Sequence, residues 1–325
     1  MTENVAPAGS QQVAGGVAVG SAGDVLGRPR PVAARRDWWE RHAHLVLPMP
    51  AVVAVLTMIA FPLLYTVWLS LTDWTLSNPE GATFVGLENY ATLFTTDQRF
   101  ANSVVITFYF TILGVTVQTF CGVTLALLFN RQFWGRGIFR TLAILPMVAT
   151  PVAIALIFAM MFHPTLGVLN YFVTLIGLPP QTWIHSRQSV IPALVLVDTW
   201  QWTPLIMLIV LAGLAALPHD PYEAAEIDGA SKLQTLWHIT LPLVRPAIVT
   251  AVLFRMIDSL KTFDIIFVLT QGGPGGSSDT INLYLFNTAF SYFRMGTASS
   301  MVVIFFAIIL GISLIAIRVR RGTWA

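Results

Sequence analysis

Six runs of mostly apolar residues mark the chain, at about 45–71, 103–129, 140–162, 190–216, 246–270 and 299–318. Each is close to or longer than the roughly 20 residues that carry a helix across a bilayer. The polar stretches between them are short, and the fifth run is the least apolar. Lipid offers a backbone no hydrogen-bond partner, so apolar runs of this length are expected to be helices. The pattern predicts an all-α membrane protein with a six-helix domain over 44–321. A tail over 1–43, rich in Ala, Gly, Val and Ser and then in Arg, precedes it and is expected to be disordered and cytoplasmic.

Prolines interrupt several of the runs, among them Pro146 and Pro151 in the third and Pro192 and Pro204 in the fourth. Each removes a backbone donor and is expected to bend its helix. Composition agrees with the pattern. Charged residues are 10% of the chain, against about 25% in soluble domains. A net charge of +2 implies neither a nucleic-acid surface nor an acidic substrate. The single cysteine, Cys121, lies in an apolar run, which excludes an intrachain disulfide and a Cys-rich metal site.

Basic residues set the expected orientation. Arg28, Arg30, Arg35, Arg36 and Arg41 precede the first run, and Arg131, Arg136 and Arg140 separate the second from the third. Lys232 and Arg245 separate the fourth from the fifth, and Arg318, Arg320 and Arg321 follow the sixth. That side holds 13 basic residues. The other holds Arg99, Arg187 and Arg294. Both termini and the 218–245 segment are therefore expected in the cytoplasm.

That segment reads PHDPYEAAEIDGASKLQTLWHITLPLVRP. Asp220 as an N-cap, Pro221 at the first helical position and Glu223 three residues after the cap predict a helix over 221–228. Gly229 fits the left-handed position beyond its end. Ser231 and Gln234 form a second capping box, opening a helix expected to end near Pro242. The product is a helix–Gly–helix elbow. Ala224 and Ala225 leave room for a foreign backbone, ringed by Glu223, Glu226 and Asp228. The same features suit a solvated loop helix.

EAAEIDGASKLQTLWHITLPLVRP resembles the EAA motif of the permeases of ATP-binding cassette (ABC) importers: Glu223-Ala224-Ala225, Gly229, then Ile239, Leu241 and Pro242. FVGLENYATLF, WQWTPLIMLIVLAGLAALP and FDIIFVLTQGGPGGSSDT resemble the carbohydrate branch of that family, as found in the first permease of maltose, glycerol-phosphate and trehalose systems. The resemblance implies the six-helix type I importer fold in a bacterial cytoplasmic membrane. It implies a second permease subunit, two ATP-binding cassette subunits and an external solute-binding protein as partners. Glu223, Ala224, Ala225, Asp228, Gly229, Leu241 and Pro242 would couple to the ATPase. A sugar or polyol would cross by alternating access. The first external loop, about 72–102, is far shorter than the maltose type's, so maltose itself is not implied.

Arg255, Asp258, Lys261 and Asp264 recur every third residue in the fifth run, a helical stripe of alternating sign whose neighbours can pair. A charge facing lipid at mid-helix costs about 2.5–3.5 kcal/mol, so the stripe faces protein or water. It either fixes the helix to its neighbours or lines an aqueous path. Asp198, Gln201 and Trp202 share one face of the fourth run, with Trp200 pointing elsewhere. An indole stacks on a sugar, and Asp and Gln take hydroxyls. Such groups also serve as interhelical hydrogen bonds. Asp198, Gln201, Trp202, Asp258 and Lys261 are the path candidates. QGGPGGSSDT is expected to be a flexible external loop.

Neither lysine follows a glycine, so the chain has no phosphate-binding Walker loop of its own. HExxH and GxSxG are both missing. No cofactor, metal or catalytic residue is expected, and His238 reads as a surface residue. An ion-coupled secondary transporter using Asp258 and Asp264 is the alternative function, and an intramembrane enzyme a more distant one.

Overall fold

The computed structural model describes His42, 45–77 and 81–322. Apart from His42, the expected tail lies outside the described residues. The chain divides into units Met1–Ile59 and Ala60–Ala325. The first contributes the opening turns of helix α1, Met49–Ser70. The second holds the remaining elements.

Among the described residues the chain is helical, with two isolated β-bridges and no named strand. After α1 come a short helix α2 (Glu88–Thr95) and a 33-residue span, α3 (Gln98–Asn130), capped by Asp97. Helices α4 (Arg136–Val148), α5 (Pro151–Met161) and α6 (Val168–Leu175) follow, then α7 (Val190–Ala215). Helix α8 (Asp220–Ile227) precedes α9 (Lys232–Leu260). The chain closes with α10 (Asp264–Leu269), α11 (Ile281–Phe286) and α12 (Met295–Gly322).

Five helices are long and apolar enough to cross a membrane: α1, α3, α7, α9 and α12. The third expected span, 140–162, is broken instead. α4 and α5 meet at 98° where Pro151 opens a new helix. Pro192 and Pro204 sit within α7 without dividing it.

Two apolar clusters lie along α7. One joins Phe110, Phe158, Leu194, Val197 and Ile266. The other joins Phe129, Ile206, Met207, Val210 and Val244. In lipid, burial of apolar surface does not drive helices together, so close backbone approach must. Gly213 of α7 provides it: a Cβ there would stand 2.5 Å from the Cβ of Ala247 on α9.

Three predicted boundaries shift. The elbow's second helix does not end near Pro242, and the fifth span does not begin at Pro246. They are one helix, α9, of 29 residues. A π-helical turn over Leu236–Thr240 makes this possible. Leu241 N–H reaches back five residues to the Leu236 carbonyl just before Pro242, which has no N–H to offer. Nor does the fifth span run on to 270. It stops at Leu260, whose carbonyl accepts from Asn282 Nδ2 at 2.9 Å.

Candidate functional site: an elbow and an inter-helix cavity

The elbow is built as its sequence dictates, with one change at the start. His219, not Asp220, is the N-cap, and Pro221 occupies the first turn. At the far end Gly229 takes φ +72°. Ala230 N–H donates to Ala225 O at 2.9 Å and Gly229 N–H to Glu226 O at 3.2 Å. This is the Schellman arrangement that a left-handed glycine permits. Ser231 and Gln234 form the expected reciprocal capping box. Tyr222 Oη donates to Thr240 Oγ1 at 3.3 Å, tying the two arms.

Glu223, Ala224, Asp228 and Gly229 are exposed. Ala225 is buried within the chain, so only Ala224 of the pair offers a free small patch. Leu241 is half-buried and Pro242 exposed. Both belong to α9 just beyond its π turn. The elbow also presents Ile227, 87% exposed, with Leu233 and Trp237. A hollow of about 400 Å³ between its arms is lined by Asp228, Gly229, Gln234, Thr235, His238 and Ile239.

The path candidates separate into two groups. Trp202, Asp258 and Lys261 line one cavity of about 160 Å³ with Pro151, Thr262, Phe263, Asp264 and Ile265. Asp198 and Gln201 are buried and do not line it. Gln201 Nε2 donates to the Ala149 carbonyl at 3.3 Å, in the break between α4 and α5. Asp198 Oδ2 accepts from Arg255 Nη2 at 2.5 Å and from Gln118 Nε2 at 2.7 Å. Trp200 points away as expected and packs on Phe158.

The charge stripe is interrupted. Arg255 and Asp258 pair at 3.0 Å, but Lys261 only caps α9 and Asp264 opens α10. Neither makes an ion pair among the described residues. No group of His, Cys, Asp or Glu among the described residues could hold a metal ion.

Sequence reasoning missed Gln118. Its only signal was one amide in the middle of a long apolar run. It also misjudged the glycine-rich loop, which is packed rather than loose. Ser278 Oγ bonds Thr270 Oγ1 at 2.8 Å and the Gly273 carbonyl at 2.6 Å. Asp279 pairs with Arg99 Nε at 2.5 Å. Burial pushes the Asp279 carboxyl up, against the pull of Arg99. Arg99 also lies over the Tyr284 ring, 4.6 Å from its centre.

Residues 118–321 match the family described as the binding-protein-dependent transport system inner membrane component. A probable ABC transporter permease from Sinorhizobium fredii is 36% identical, with 84% of this chain and 89% of the relative covered. A trehalose/maltose transport system permease from Thermococcus litoralis is 35% identical over 84% of this chain and 92% of its own length. A sulfoquinovosyl glycerol transport system permease from Agrobacterium fabrum is 34% identical over 88% and 92%. The fold matches a chain of a bacterial alginate ABC transporter with a TM-score of 0.75, at 22% identity and 86% and 96% coverage. The resemblance read from the elbow thus extends along most of the chain, and the protein belongs to the family of inner membrane components of binding-protein-dependent transport systems.

Proposed function

We infer that the chain is one of two permease subunits of an ATP-driven importer for a carbohydrate or polyol. Its elbow and both termini face the cytoplasm. Two ATP-binding cassette subunits engage Glu223, Ala224, Asp228 and Gly229, and an external binding protein delivers the solute. One observation carries this reading. A single continuous helix, α9, runs through its π turn from the elbow to Asp258 at the cavity wall. At 1.5 Å per residue it is about 44 Å long, exceeding the roughly 30 Å lipid core. Movement imposed on the elbow therefore reaches the cavity along one continuous helix. Alternating access requires such a link between nucleotide state and solute affinity.

The solute class is supported by the relatives named for trehalose/maltose and sulfoquinovosyl glycerol transport. The cavity's chemistry fits as well. Trp202 and Phe263 offer aromatic faces, while Asp258, Lys261, Thr262 and Asp264 offer hydroxyl partners. Its volume of about 160 Å³ is below the roughly 300–1,000 Å³ of a complete ligand pocket. That suits one wall of a path completed by the second permease. The ion-coupled alternative has no comparable support among the relatives, and of its two carboxylates Asp258 is held by Arg255.

The test is growth of a deletion strain on a panel of sugars and polyols, followed by ATP-dependent uptake of the solute that fails to support growth. Glu223→Lys is expected to reduce uptake at least about tenfold while the spans stay inserted. Undiminished uptake in that variant would remove the elbow's assigned role.

A further inference from the structure

Arg255 has no exposed surface, yet its donors reach three helices. Nε donates to Gln118 Oε1 of α3 at 2.7 Å, and Nη2 to Asp198 Oδ2 of α7 at 2.5 Å. Nη1 donates to Asp258 Oδ2, on α9 itself, at 3.0 Å. The guanidinium carbon stands 5.4 Å from the centre of the Trp202 ring. Two of these four partners, Asp258 and Trp202, are walls of the cavity.

Neutralisation does not account for the contact with Asp258. The buried cation is already matched by Asp198, and Gln118 closes the triangle by donating to the same Asp198 oxygen. The Asp258 side chain is 45% exposed and could remain charged in water without a buried partner. What the third hydrogen bond does is fix the carboxylate's position. Lys261 lies one turn further on, at the end of α9, and makes no ion pair. A carboxylate released from Arg255 could close on that ammonium, since residues three apart on a helix meet. Held as it is, Asp258 leaves both groups available to hydroxyls.

We propose that Arg255 is a positioning residue for the solute path: it holds the Asp258 carboxylate apart from Lys261 and the Trp202 ring against the cavity, while Asp198 and Gln118 hold Arg255. The proposal rests on reading the cavity as part of the path. Only a planar guanidinium fork serves three separate acceptors in this way. A lysine ammonium has three donors on a flexible stem and no fixed plane.

The test uses the complete complex in vesicles, with uptake of [14C]trehalose first and of the solute found by the growth panel thereafter. Arg255→Lys is expected to raise the half-saturation concentration about tenfold at a normal level of assembled complex. In an Asp258→Asn background the same substitution is expected to add less than about twofold. The paired change Asp198→Leu with Arg255→Met removes both buried charges, which folds commonly tolerate. It is expected to assemble and to transport as poorly as Arg255→Lys.

Wild-type uptake by that apolar pair would make the network an interhelical tie alone and overturn the proposal. So would independent, multiplicative effects of Arg255→Lys and Asp258→Asn. Loss of the assembled complex in every Arg255 variant would likewise assign Arg255 to folding. Unchanged uptake in Asp258→Asn alone would instead strike the cavity's place in the path, and the proposal with it.

Discussion

Arg255 and Asp198 are shut away from water, and each charge would be costly without the other. Breaking a buried pair from one side typically costs about 3–5 kcal/mol. Asp198→Ala should therefore lower the amount of intact complex recovered from membranes, with uptake per complex falling less. Asp258→Ala should do the reverse, because its carboxylate is half in solvent. Quantifying assembled complex beside uptake separates the two. Equal loss of assembly in both variants would mean that Asp258 is part of the tie. The sequence put Asp198 and Asp258 in one class because each is a carboxylate inside an apolar run. What divides them is burial, since Asp198 is shut in and Asp258 is 45% exposed, and one partner of Asp198 is Gln118, some 80 positions upstream with no local mark.

Among the elements, α9 departs furthest from expectation. Pro242 and Pro246 read as a stop and a start, since each lacks a donor for the turn before it. The helix continues because the π turn at Leu236–Thr240 absorbs the first proline, and Val244 and Ala251 are buried against α7 and α3. Its true end at Leu260 carries neither Gly nor Pro. The Leu260 carbonyl is met instead by the amide of Asn282, 22 residues further along. By contrast, the elbow turn was legible because Gly229, Ser231 and Gln234 act on their own neighbours. Tight packing tests the α7–α9 contact. Gly213→Leu has no room beside Ala247 and Val244. Overpacking of this kind costs about 1–3 kcal/mol, so its thermal inactivation midpoint should fall while Gly229→Ala, in open space, leaves this contact intact. An unchanged midpoint in Gly213→Leu would show that the helices are free to separate there.

For the whole molecule, orientation is the property that binds elbow to cavity. The asymmetry of Arg and Lys predicts the elbow inside and the glycine-rich loop outside. In a Cys121→Ala background, Ser231→Cys should react with a membrane-impermeant maleimide only after the cells are opened. Gly276→Cys should react in intact cells. The opposite pattern would invert the protein and separate the elbow from any cytosolic ATPase.

The close approach of Gly213 to Ala247 falls near the middle of α9, some 15 residues from its start. A long helix pressed against its neighbour near its centre can tilt as a seesaw over a fulcrum. A tilt of about 10° about that point carries each end of a 44 Å rod through about 4 Å, in opposite directions. The Arg255 bonds to Asp198 and Gln118 cross from the rod to the helices beside it, about 12 Å from that point, where the same tilt is a shift of about 2 Å, enough to stretch them beyond hydrogen-bond reach. Each stroke must then either snap this seam and remake it, or drag α3 and α7 along with the rod.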